Sequence, residues 1–118
     1  MWDPLLSPSA SGGVTTVVMG NCGVGAAPCR KEDRDFMVHL LEGVEDIPAE
    51  SIDAGVQWEV NGVEWETYPE YLDALDKLSF ACDVTSMISH GQVRSWVMGR
   101  KTTPLSRFHR HAPFADVC

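Results

Sequence analysis

The chain has 118 residues, enough for one small domain with a modest core. Its composition, 44% hydrophobic and 22% charged, is that of an ordinary globular protein and excludes a disordered or fibrous chain. Nine basic residues against 17 acidic ones give a net charge of −8, which speaks against nucleic acid or an anionic membrane as partner, because phosphate binding needs clustered positive charge.

Met1 to Gly13 is rich in Pro, Ser and Gly and reads as a loop. It has neither the basic start nor the apolar run of a secretory signal, so a cytoplasmic location is expected. In that setting Cys22, Cys29, Cys82 and Cys118, which show no CxxC spacing, are expected to be free thiols. Gly13-Val14-Thr15-Thr16-Val17-Val18-Met19-Gly20 is β-branched almost throughout. It predicts a strand buried on both faces, as in a parallel sheet covered by helices. The run ends in the glycine-rich turn Gly20 to Gly25.

A helix is expected from about Glu32 to Gly43. Phe36, Met37, Leu40, Leu41 and Val44 recur along one helical face, and Gly43 and Pro48 mark the stop. Ala49 to Glu66 reads as a long excursion of loop and short turns, with Trp58 and Trp65 as anchors. Thr67-Tyr68-Pro69-Glu70 has the form of a capping box and opens a second helix. Its buried face would be Tyr71, Leu72, Leu75 and Leu78, with Asp73 and Lys77 paired on the outside. A strand from Phe80 to Ile88 leads to Ser89-His90-Gly91-Gln92, a second capping-box pattern, and to a short helix through Val93, Trp96 and Val97. Strands alternating with helices point to an α/β parallel sheet.

In such folds ligands bind at the carboxyl ends of the strands. Two places qualify, Gly20 to Gly25 with Asn21 and Cys22, and Ser89 to Gly91 with His90. Thiolate and imidazole are both good zinc ligands, although a lone Cys after a strand is more often a small buried hydrophobe. A histidine beside a helix start, as His90 is, is more often a capping or packing residue than a ligand. The order Gly20-x-x-Gly23-x-Gly25 lacks both the GxGxxG spacing and a Walker lysine, which excludes a nucleotide cradle.

Several stretches resemble the D-aminoacylase (N-acyl-D-amino-acid deacylase) branch of the amidohydrolase superfamily. These are Trp2-Asp3-Pro4-Leu5, the segment Gly13 to Gly25 containing GVTT and GNCG, Glu42-Gly43-Val44-Glu45-Asp46-Ile47-Pro48, Pro69 to Leu75, and His90-Gly91. The resemblance covers about Met1 to Gly99. It implies a piece of a zinc-dependent (β/α)8 TIM barrel, two to three βα units long, whose parent hydrolyses the C–N bond of N-acyl-D-amino acids. It also implies that Cys22 is a zinc-ligand position, while His90 stays a weak candidate for substrate contact. The family's H-x-H motif, later histidines and catalytic aspartate find no counterpart, so the chain is expected to be inactive alone. Two alternatives are a non-catalytic binding or assembly module, self-associating through unpaired sheet edges, and one half of a split hydrolase. The segment Arg100 to Cys118 departs from the family and holds four of the nine basic residues. His109-Arg110-His111 within it spells H-x-H at the wrong end of the chain. Ala10-Ser11-Gly12 and Ala26 also stand where the family has bulkier residues.

Overall fold

A computed structural model describes residues 3–21, 23 and 25–99. The start of the chain is not all loop. Asp3 accepts hydrogen bonds from the amides of Leu5 and Ser7, both at 3.0 Å. A short helix, α1 (Ser7–Ser11), follows, with Pro8 in its first turn. Proline is tolerated there because first-turn amides have no partner within the helix. The Ser7 amide and then the Leu5 amide hold the Asp3 carboxyl below its usual range.

The β-branched run forms strand β1 (Thr16–Met19). After a 3-10 turn over Lys31–Asp33 comes α2 (Arg34–Glu45), which buries Met37 and Val38. Gly43 does not stop this helix. It ends at Asp46, whose left-handed backbone lets its amide reach the Glu42 carbonyl at 3.1 Å.

The region expected to be a long loop is ordered structure: α3 (Ala49–Val56) and a hairpin of β2 (Glu59–Val60) and β3 (Val63–Glu64). Asn61 and Gly62 join the two strands, both at positive φ (50° and 80°), the conformation that a two-residue hairpin turn demands. Asn-Gly between alternating apolar residues was the local signal for it.

Helix α4 (Tyr68–Asp76) starts as expected. The Thr67 hydroxyl accepts from the Glu70 amide at 3.4 Å, and the Glu70 carboxylate accepts from the Thr67 amide at 2.9 Å. Its buried face is centred on Ala74 and Leu75, while Leu72 is exposed. The expected Asp73–Lys77 pair is not formed. Ion pairs do join Arg30 to Asp33, and Lys31 and Arg34 to Glu64. Strand β4 (Asp83–Ser86) and helix α5 (His90–Met98) complete the order.

Two small sheets result. β1 pairs β4 in parallel, Thr16 against Asp83 through Met19 against Ser86, and β2 pairs β3 antiparallel. The architecture is therefore mixed α/β with a two-stranded parallel sheet, and the described residues show no barrel closure.

The core does not lie on that parallel sheet. It gathers Ala27, Cys29, Met37, Val60, Trp65 and Ala74, with Phe36, Val56, Trp58, Tyr68, Tyr71 and Leu78 packed around them. Trp65, 1% exposed, lies 4.9 Å from the Trp58 ring and edge-on to Tyr71 at 5.1 Å. The Arg34 guanidinium sits over Trp58 at 4.9 Å. Both tryptophans are thus packing anchors. The expectation of a β1 buried on both faces is corrected, since Val18 is 55% exposed and burial along β1 and β4 only alternates between exposed and half-buried. One neighbouring strand and few covering side chains cannot dry both faces.

Candidate site at the strand ends

Parallel pairing puts the carboxyl ends of β1 and β4 at the same edge of the sheet, so the two turns singled out from sequence become neighbours. The ladder continues past the strands: the Met87 amide donates to the Met19 carbonyl at 2.8 Å. Gly20 is next, at φ +85°, and a Cβ there would run into the Met87 carbonyl. Positive φ and this close approach both require glycine. Further out, the Gly91 amide donates to the Gly23 carbonyl at 3.2 Å. Gly25 lies against Ser89, where an added Cβ would be 3.0 Å from the hydroxyl. Close approaches at Gly20, Gly23 and Gly25 therefore stitch the β1 turn to the end of β4 and the start of α5.

Other elements hold this edge in place. The Tyr68 hydroxyl, from α4, donates to the Ser86 carbonyl at 2.6 Å, at the last residue of β4. The Cys29 amide donates to the Glu66 carbonyl at 2.7 Å, tying the segment after the glycine turn to the hairpin. The Arg30 guanidinium lies over the Trp96 ring at 4.3 Å and links that segment to α5.

The second capping box does not form. Ser89 precedes α5, but its hydroxyl bonds the Gln92 side-chain oxygen instead of a helix amide. Both residues are only 2% exposed, and the Gln92 side-chain oxygen accepts from the Ser89 hydroxyl away from water. The sequence pattern was right in residue types; burial beside Gly25 redirected the hydroxyl.

His90 opens α5 and is exposed. Cys22, and with it the expected zinc-ligand position, lies outside the described residues, as do His109, His111 and the whole segment from Arg100 to Cys118. Among the described residues no three His, Cys, Asp or Glu side chains gather as a metal-ligand set. Those residues alone do not make a zinc site.

Cys29 and Cys82 are free thiols, as expected. Cys29 belongs to the core, and burial, reinforced by the charge of Asp33, pushes its pKa up to about 11. A thiol so held is neutral at physiological pH. No described helix is long and apolar enough to cross a membrane.

A groove that sequence alone did not suggest lies beside this edge. It has a volume of about 690 Å³ and is lined by Met19, the last residue of β1, by Ala26 and Tyr71, and by apolar residues of α3. Its nearest sequence signal was Ile52 and Val56, hidden in the stretch expected to be loop, with Ile47 just before it.

No family model matches the chain, and no solved structure matches it. Over 97 residues it is 33% identical to uncharacterized proteins of Mycobacterium bovis and Mycobacterium tuberculosis, a match covering 82% of this chain and 15% of theirs. Over 93 residues it is 32% identical to a D-aminoacylase of Alcaligenes xylosoxydans xylosoxydans, covering 79% of this chain and 16% of that protein. The chain thus spans only about 15–16% of the length of the curated relatives it matches, and its link to a D-aminoacylase is distant and partial.

Proposed function

We propose that this chain is a βα segment of a zinc-dependent amidohydrolase that cleaves the C–N bond of N-acyl-D-amino acids, and that it has no activity by itself. The observation that carries this reading is the 32% identity over 93 residues with a D-aminoacylase. Two features of the fold support it. β1 and β4 run parallel with their carboxyl ends together, where α/β enzymes place their chemistry. Val18 in the sheet and Val14, Met87 and Ile88 flanking it are also exposed, as around strands that need further neighbours and covering helices.

In this reading Cys22 supplies one zinc ligand from the turn that follows β1. A catalytic zinc takes about three protein ligands and keeps one position open, so the others come from beyond the described residues. His90, at the start of α5, borders the site and meets substrate. Cobalt(II) titration tests the reading, because a thiolate ligand gives an intense charge-transfer absorption. With a single assigned ligand the chain binds cobalt feebly, so the band should need cobalt in excess, persist in Cys29→Ser and vanish in Cys22→Ser. A band indifferent to Cys22→Ser overturns the assignment. Hydrolysis of N-acetyl-D-amino acids by the chain alone, abolished by Cys22→Ser, would overturn its inactivity.

The exposed sheet favours a second reading, an assembly module that self-associates through the free edges of β1 and β4. It requires concentration-dependent association in sedimentation, weakened by Val18→Lys.

A further inference from the structure

The turn between β2 and β3 carries chemistry of its own. Asn61 and Gly62 are both exposed there, at φ 50° and 80°. The chain has two asparagines, and only Asn61 is followed by glycine; Asn21 is followed by Cys22. An asparagine side chain can close a five-membered ring through the next backbone nitrogen, and a Cβ on that next residue obstructs the approach. Gly62 has no Cβ, and the place where one would stand has no other group within 4 Å.

The same side chain is a structural tie. The Asn61 side-chain nitrogen donates to the Lys77 carbonyl at 3.1 Å, and Lys77 is the C-cap of α4. That carbonyl is of the kind a helix end leaves without an intrahelical partner. The hairpin depends on such ties, because its ladder has two cross-strand pairs and one of them sets Glu59 against Glu64. So short a ribbon is not stable by itself, and like charges facing each other weaken it further. Lys31 and Arg34 hold Glu64, the buried Val60 and Trp65 anchor the strands in the core, and Asn61 fastens the tip.

We propose that Asn61-Gly62 is a self-modification site whose deamidation releases the hairpin tip from α4. The Gly62 nitrogen gives up its proton and attacks the side-chain carbonyl carbon of Asn61. A C–N bond forms, the bond from that carbon to Nδ2 breaks, and Nδ2 leaves as ammonia with the proton. Water then opens the resulting succinimide at either carbonyl, leaving aspartate or isoaspartate. Both products put a carboxylate where an NH2 donor was, and a carboxylate has no proton to donate. It faces the Lys77 carbonyl at the C-terminal end of α4, where the helix dipole disfavours negative charge. Attraction becomes repulsion, and the chain, already at −8, gains one more negative charge. The proposal is independent of the deacylase reading.

The test incubates the full chain in mildly alkaline buffer at physiological temperature, followed by peptide mapping in a mass spectrometer. Conversion to aspartate and isoaspartate should run at least tenfold faster at Asn61 than at Asn21, with ammonia released in step. Asn61→Gln, whose side chain would need a larger ring, should abolish the release from this site. Asn61→Asp reports the consequence, since aspartate tolerates a left-handed backbone as asparagine does. Amide exchange in β2 and β3 should rise about tenfold in this variant while exchange in α2 keeps its rate. The same exchange measurement on the incubated, converted chain gives a second reading should Asn61→Asp fail to fold. No conversion at Asn61, or equal rates at Asn61 and Asn21, overturns the modification site. Hairpin exchange unchanged in both the variant and the converted chain overturns the release.

Discussion

Two regions of this molecule are held together by different means. Between Ala26 and Leu78, α2, α3, the hairpin and α4 enclose an aromatic core around Trp65, with cation–π and ion-pair contacts from Arg34. The parallel pair β1–β4 has instead a ladder of backbone hydrogen bonds, glycine contacts at its carboxyl end and exposed valines. The first region is stabilised by buried apolar surface close in sequence. The second relies on backbone geometry and leaves apolar surface open. The strand ends that would carry chemistry belong to the second, and the packed segment that connects them acts as their scaffold.

The sharpest way to break the contrast is Trp65→Ala. Loss of a fully buried aromatic costs about 3–5 kcal/mol, and thermal or urea unfolding should show the chain largely unfolded. If stability were unchanged, the core would lie elsewhere. Gly20→Ala comes next, because the new Cβ meets the Met87 carbonyl at a positive φ. It should cost about 1–3 kcal/mol and raise amide exchange at Met87 before exchange in α4 changes.

Thr67→Ala removes the cap of α4 and should cost about 1 kcal/mol in urea denaturation. The same cap has a pH signature. The Thr67 and Glu66 amides hold the Glu70 carboxyl below its usual range. Its contribution is therefore present above the unfolded carboxylate pKa and is lost as pH falls through the lower, folded value. Glu70→Gln should flatten that acid limb. The smallest effect is expected for Val18→Thr on the open face of β1, within about 0.5 kcal/mol in the same denaturation. A loss comparable to that of Trp65→Ala would mean that the face is covered in solution.

Residue patterns alone determined the elements with strong local signals. β1 was legible from its β-branched run, α2 from its apolar spacing, and α4 from a capping box whose two hydrogen bonds close within four residues. Such features depend on neighbours along the chain, so no tertiary knowledge is needed to find them. α3 and the hairpin were missed because acids and glycines outweighed the apolar periodicity and the Asn61-Gly62 signal. Tertiary structure decided everything that depends on distant partners. It placed the core on Trp65 instead of on the parallel sheet, turned the Ser89 hydroxyl from a helix amide to Gln92, and opened the groove between β1 and α3. The meeting of the turns after β1 and β4 is of the same kind. Parallel strands far apart in sequence can place their carboxyl ends at one edge only when the intervening chain packs into a body that returns the second strand beside the first.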